Sequence, residues 1–146
     1  MRKSYVKHIE SITKGVFFCN EPMSKHTTFG VGGLVDCYIL PKDLEELKEI
    51  LRYTYSKNIK TFFMGSGSNL LVNDKGYNGV IISLKNTFKS LEILDDGTIN
   101  VESGVILSKM VNQATKKGLK GLESLVGVPG TVGGALYMNA GAYKDE

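Results

Sequence analysis

Two glycine-rich stretches hold the residue types that could do chemistry: Gly65-Ser66-Gly67-Ser68-Asn69, and Gly127-Val128-Pro129-Gly130-Thr131-Val132-Gly133-Gly134-Ala135. The second runs on into Met138-Asn139-Ala140-Gly141-Ala142-Tyr143, with five glycines, one proline and no charged side chain between residues 127 and 143. Glycine permits positive φ and close approach of another group to the backbone. Pro129 fixes φ and removes one donor. Such runs fill a core poorly but wrap bare N–H groups well around a flat or anionic ligand. Successive amides in a tight turn form a concave nest for anions, and Ser66, Ser68 and Asn69 add donors. A pyrophosphate suits that set better than a neutral sugar. Neither loop contains Arg or Lys, so binding would rest on neutral donors and dipoles. Hydrogen bonds to charged groups are worth about 1.5–3 kcal/mol each, so several would suffice.

The first loop lacks the spacing and the Lys of a P-loop. The third glycine position of a dinucleotide fingerprint is occupied by Leu70. A tight strand-to-strand connection that needs glycine for φ alone stays open as its alternative. In the second stretch, Gly130-Thr131 is placed to open a helix whose first amides face an anion. Gly133 and Gly134 there cost about 1 kcal/mol each relative to Ala. Their presence implies close backbone contact with a ligand or with another chain segment.

Several elements must position these loops. Apolar residues at Val6, Ile9, Ile12, Val16 and Phe17 predict a helix over 4–18. Glu21 to Phe29 reads as extended loop, followed by a third glycine cluster, Gly30, Gly32 and Gly33. Leu34–Leu40 is rich in strand formers and closed by Pro41. Asp43 with Glu46 forms a capping-box start for an amphipathic helix over 44–57. A short buried strand over 60–64 leads into the first glycine loop. Brief strands follow at 70–72 and 80–84, separated by an Asn/Asp/Gly turn. Leu91–Leu94 and Ile99–Val101 flank Asp95-Asp96-Gly97-Thr98 as a hairpin. Leu107, Met110, Val111 and Ala114 predict a second amphipathic helix, with Gly118 just past its end. This order is α+β rather than strict βαβ alternation.

The chain has 146 residues, 42% hydrophobic and 23% charged, enough for a packed core. Its net charge of +3 is small and scattered, which argues against a nucleic-acid partner. Cys19 and Cys37 have neither metal nor redox-motif spacing. They read as thiols in a reducing compartment, Cys37 as core. Neither a signal peptide nor a membrane span is legible. A cytoplasmic protein, and a monomer, is the expectation. The chain is also expected to be the front part of something longer.

Three motifs occurring in order then become specific: His26-Thr27-Thr28-Phe29-Gly30-Val31-Gly32-Gly33, Met64-Gly65-Ser66-Gly67-Ser68-Asn69-Leu70-Leu71 and Gly127 through Tyr143. Together they resemble the UDP-N-acetylenolpyruvoylglucosamine reductases of peptidoglycan synthesis, from about residue 20 to the end. The resemblance implies an FAD-binding domain of the p-cresol methylhydroxylase (PCMH/VAO) type. It would comprise two α+β subdomains, 1–57 and a truncated 58–146, with the substrate-binding domain absent. It implies FAD as cofactor, NADPH as hydride donor, and UDP-N-acetylglucosamine enolpyruvate as substrate, reduced to UDP-N-acetylmuramate. The cofactor-binding residues it implies are Gly65, Ser66, Gly67, Ser68, Asn69 and Leu70 at the pyrophosphate. Gly127, Val128, Pro129, Gly130, Thr131, Gly133 and Gly134 would line the cofactor further, and Asn139, Gly141, Ala142 and Tyr143 would lie on the flavin side. Lys144 stands where the family usually has Gly. The family's catalytic Arg, Ser and Glu lie beyond this motif, so no catalytic residue and no metal site is expected here.

Other polar residues read more plainly. His26 is a loop histidine with a structural hydrogen bond, since neither it nor His8 has a spaced partner for metal or triad chemistry. Asp95 and Asp96 are turn residues, and Tyr137 reads as packing. Three functions remain open from sequence: the front portion of an FAD-dependent reductase, inactive alone; a non-catalytic FAD or nucleotide module; and a fragment too incomplete to hold a cofactor.

Overall fold

A computed structural model describes residues 3–141. Helix α1 (Ser4–Ile12) leads to strand β1 (Val16–Pro22), a one-turn 3-10 helix (Met23–Lys25), strand β2 (Leu34–Leu40) and helix α2 (Leu44–Ser56). Strands β3 (Thr61–Met64) and β4 (Tyr77–Ser83) follow, then the hairpin β5 (Leu91–Ile93) and β6 (Ile99–Val101). Helix α3 (Leu107–Lys116), a second 3-10 turn (Glu123–Leu125) and helix α4 (Val132–Tyr137) complete the fold. The main sheet has the order β1-β2-β4-β3. β1 runs antiparallel to β2, while β2, β4 and β3 are mutually parallel.

The sheet therefore crosses the division at 57/58, because β3 and β4 complete the sheet begun by β1 and β2. One face carries α1 and α2 over Ile9, Cys37, Ile39, Ile50, Val80 and Ile82. The other buries Met23, Val35, Tyr38, Met64 and Ile81, covered in part by Leu70 and Val72. A third cluster of Val105, Leu107, Met110, Val111 and Val132 packs beneath the β5–β6 hairpin.

The helix expected over 4–18 ends at Ile12, and Val16–Pro22 is a strand. Phe17 and Cys19 turn inward while Val16 and Phe18 turn out, a period of two that the helical reading overlooked. Gly15 makes the turn: a Cβ there would stand 2.2 Å from the Leu40 carbonyl oxygen, so only glycine lets α1 hand over to β1 at this distance. The strand expected at 70–72 is irregular, with Leu70 and Val72 serving as lids on the second core. β3 is an edge strand with Phe62 and Phe63 exposed, so only Met64 of the expected buried strand is fully inside. The helices at 44–57 and 107–116, the hairpin and Gly118 (φ +74°) match the sequence reading.

The start of α2 departs from a simple capping box. The Asp43 carboxylate accepts from the Glu46 amide at 2.9 Å, as expected. The Glu46 carboxylate, however, is 4% exposed and accepts from the amides of Lys14 (2.9 Å), Gly15 (3.1 Å) and Lys42 (3.0 Å). One carboxylate thus ties the α1–β1 turn to the β2–α2 turn. Elsewhere, the Lys3 ammonium bridges Asp36 (2.8 Å) and Asn78 (2.8 Å), and the Tyr5 hydroxyl donates to Asp36. Burial first, then that carboxylate, pushes the Tyr5 phenol well above its ordinary value.

Candidate functional site

Strand β3 delivers its last residue, Met64, into the core, and the chain turns at once into Gly65. The Ser83 hydroxyl at the end of β4 donates to the Gly65 carbonyl at 3.2 Å, anchoring the loop to the sheet. Gly65 then lies against Thr131, where a Cβ would come within 2.4 Å of Thr131 Oγ1. Ser68 Oγ donates to the Pro129 carbonyl at 3.0 Å, and Gly130 (φ +133°) sits with Ser68 Oγ 3.1 Å from where its Cβ would be. The two glycine stretches, more than sixty residues apart in sequence, therefore meet.

Between these anchors, no backbone amide from Ser66 to Leu71 donates a hydrogen bond to another group among the described residues. Six consecutive donors are thus without a protein acceptor among the described residues. The loop carries no carboxylate that would repel an anion. Gly67 has φ +76° and the His26 carbonyl oxygen 2.1 Å from where its Cβ would stand, so the strand-connector reading, with glycine needed for the turn, stays beside the anion-nest reading.

The expectation that the first amides of the helix after Thr131 face an anion is not met. Thr131 does cap α4, its Oγ1 accepting from the Gly134 amide at 3.3 Å. But Val132 N donates to Val105 O at 2.8 Å and Gly133 N to Ser103 O at 2.9 Å. A Cβ on Gly133 would strike Ser103 Cβ at 2.7 Å. Gly133 thus serves contact with another chain segment, one of the two possibilities open from sequence. Gly127 (φ +85°) forms the turn before Pro129, and Val128 packs on the third core. Asn139 and Gly141 follow α4 on the exposed side, Asn139 bonded back to Leu136. Ala142 and Tyr143 lie outside the described residues. Tyr137, expected to pack, is 86% exposed, beside Leu136.

Sequence reasoning gave no site role to the third glycine cluster, although the cluster itself was visible. The segment from Met23 to Gly33 folds back on itself through Met23 N to Gly33 O (3.0 Å) and Ser24 N to Gly32 O (3.2 Å). It then leans on the first glycine loop: Thr28 N donates to Gly67 O at 3.0 Å, and Gly33 N to Asn73 O at 3.1 Å. His26 bonds Glu21 (Nε2 to Oε1, 2.9 Å) and stacks on Tyr38 with ring centroids 4.0 Å apart, which is the structural role expected of it. The Tyr38 hydroxyl is buried and makes no hydrogen bond of normal geometry. Burial pushes this phenol up, tempered by the nearby Ser83 hydroxyl. Tyr38→Phe, which keeps the ring, is therefore expected to leave stability unchanged or raise it by about 1 kcal/mol, as read by urea unfolding.

Among the described residues no group of His, Cys, Asp and Glu could hold a metal ion, and no helix is long and apolar enough to cross a membrane. An open apolar groove between α2 and β3, lined by Leu51, Tyr55 and Phe63, shares no residue with the glycine loops.

A family model described as an FAD binding domain matches residues 35–146. The UDP-N-acetylenolpyruvoylglucosamine reductase of Syntrophomonas wolfei subsp. wolfei is 46% identical over 127 residues, covering 87% of this chain and 42% of that protein. The crystal structure of UDP-N-acetylenolpyruvylglucosamine reductase from Thermus caldophilus superposes with a TM-score of 0.63 at 32% identity, covering 88% of this chain and 43% of that one. An alkyldihydroxyacetonephosphate synthase shares the fold alone, with a TM-score of 0.58 at 20% identity over 76% of this chain and 23% of that one. The chain thus spans less than half the length of the reductases it matches.

Proposed function

The chain belongs to the FAD binding domain family, and on that premise we propose that its two glycine loops hold FAD as part of an NADPH-linked reductase acting on UDP-N-acetylglucosamine enolpyruvate. The observation that carries this reading is the row of unengaged amides from Ser66 to Leu71, set against Pro129 and Gly130. A diphosphate needs several donors and no adjacent carboxylate; the amides of this loop have no protein acceptor among the described residues, and the loop contains no Asp or Glu, which supports the reading. Each such charge-assisted bond contributes about 1.5–3 kcal/mol. The amides of Gly65–Leu70, with the hydroxyl of Ser66, would hold the pyrophosphate, while Ser68 contributes its amide and spends its hydroxyl proton on Pro129. Gly127–Thr131, Gly133 and Gly134 would wall the same cleft, and Asn139–Tyr143 would reach its flavin side.

The chemistry FAD supplies when bound is hydride transfer, from NADPH to an enolpyruvyl double bond. This chain's own residues bind and orient. Ser83 and Thr28 fix the two faces of the loop, and Ser68 clips it to Pro129. The stretch 127–141 has no charged side chain, so its walls would contribute neutral contacts only. No side chain in either loop is an acid or base at neutral pH, so the chain by itself is expected to bind without turning over. The named reaction, the cytoplasmic location and the monomeric state belong to this proposal. So does a division into two lobes, the first ending with the sheet at Ser83.

The test is a visible absorption spectrum of the 146-residue chain, mixed with FAD and passed through gel filtration. A retained flavin band with a perturbed shape, and no NADPH oxidation, is expected. A chain folded by circular dichroism that retains no flavin would overturn binding by these residues alone.

A further inference from the structure

We propose that the Glu21–His26 pair, stacked on Tyr38, is the positioning device that sets the peptide group of Gly67 and through it the aim of the Ser66–Leu71 amides. This rests on the reading that the amide row binds a diphosphate. The chain of contacts is short. Glu21 is held in β1 opposite Val35 of β2, so its carboxylate is fixed by the sheet. His26 ends the 3-10 turn, its amide donating to Met23 O at 2.9 Å. Its imidazole is gripped from two sides, by Glu21 Oε1 at 2.9 Å and by the Tyr38 ring at 4.0 Å. Both side chains are largely buried, 15% exposed for His26 and 12% for Glu21. With its side chain locked, the His26 main chain cannot drift.

That main chain is what bounds Gly67. The His26 carbonyl oxygen occupies the space where a Cβ on Gly67 would stand, at 2.1 Å. Two residues on, Thr28 N donates to Gly67 O at 3.0 Å. Gly67 is thus held on both sides in a left-handed conformation, φ +76°. The Gly67 carbonyl shares one peptide plane with the Ser68 N–H, so the bond from Thr28 also fixes where that amide points, and the left-handed turn at Gly67 sets it relative to Gly67's own N–H. Hydrogen bonds weaken steeply as the donor angle falls towards about 120°, so a small rotation here would detune several donors at once. The nearby Lys25 ammonium, 3.6 Å from the same Glu21 oxygen and well exposed, neutralises Glu21 but touches nothing in the loop. It cannot replace His26 as the strut.

The experiment uses the full chain as wild type, His26→Ala, His26→Gln and Glu21→Gln. FAD affinity is read by flavin fluorescence, and amide hydrogen exchange of Thr28 and Ile39 is read by NMR without FAD. His26→Ala is expected to weaken FAD binding about tenfold and to speed Thr28 exchange while Ile39, in the central sheet, stays protected. His26→Gln, whose amide can still donate to Glu21, should recover most of the affinity. Glu21→Gln should show the same selective loosening of Thr28 if His26→Ala fails to fold. Unchanged Thr28 exchange, or equal loss at Thr28 and Ile39, overturns the proposal whether or not FAD binds. Faster Thr28 exchange with unchanged FAD affinity also overturns it. Wild-type protein that binds no FAD defeats the reading of the site instead, and the exchange pattern still decides the role of His26.

Discussion

Gly67→Ala is expected to abolish retention of FAD on gel filtration, a loss of more than about a hundredfold in affinity, or two steps of about 1.4 kcal/mol. Two effects combine at this position. A left-handed backbone costs an L-residue with a side chain roughly 1–2 kcal/mol, and Gly67 has φ +76°. In addition, the new methyl group would meet the His26 carbonyl oxygen at 2.1 Å, a backbone atom that cannot swing aside. The loop must therefore move, and the amides of Ser66 to Leu71 move with it. Gly118→Ala is the matched control, because it has φ +74° and nothing within 4 Å of its Cβ position. It should cost stability of about 1–2 kcal/mol and leave the flavin bound. If both variants retain FAD equally, the amide row is not where the pyrophosphate sits.

Glu46→Ala is expected to lower stability by about 3 kcal/mol, because it strips the acceptor from three backbone amides in part-buried turns. For a chain of this length that corresponds to a fall in Tm on the order of 10 °C. Glu46→Gln should recover part of the loss, since an amide oxygen can still accept while the charge is gone. Thermal unfolding followed by circular dichroism separates the cases. A loss of only a few tenths of a kcal/mol for Glu46→Ala, typical of a surface substitution, would show that the two turns hold together without it. The role was invisible in sequence because Asp43 and Glu46 already made sense as a local cap. Sequence spacing says nothing of residues 14 and 15 arriving beside the same carboxylate.

The same contrast runs through the whole chain. α2, α3 and the β5–β6 hairpin were legible because their apolar spacing and end signals are local, and tertiary packing agrees with them. β1 was not, because Val16 and Phe17 fall in phase with the apolar positions of α1, and only the position of Gly15 against Leu40 shows where the chain turns. Likewise, both glycine loops could be singled out by composition, yet their division of labour could not. Gly133 turned out to answer to Ser103, and the α4 amides to residues of the loop before α3, which leaves the unengaged donors in the first loop. Which glycine serves a ligand and which serves a neighbouring segment is decided by contacts across tens of residues. The third cluster, Gly30 to Gly33, stood out in sequence for the same reason and acquired its meaning only from Thr28 and Gly67 meeting.

One buried and two half-buried phenols carry a consequence for proton linkage. Tyr5, Tyr38 and Tyr77 are all pushed above the ordinary tyrosine value, with burial the leading cause in each. In the unfolded chain the same groups release their protons near pH 10. Below that pH the protonated forms suit both states, and the stabilisation from burying them is complete. As pH rises past it, the unfolded chain sheds protons that the folded chain keeps, and stability falls with each further unit until the folded groups also ionise. Three residues, on α1, β2 and β4, act in the same direction, so loss of stability above about pH 10 is expected to arise in the main sheet and its covering helix rather than in the β5–β6 hairpin.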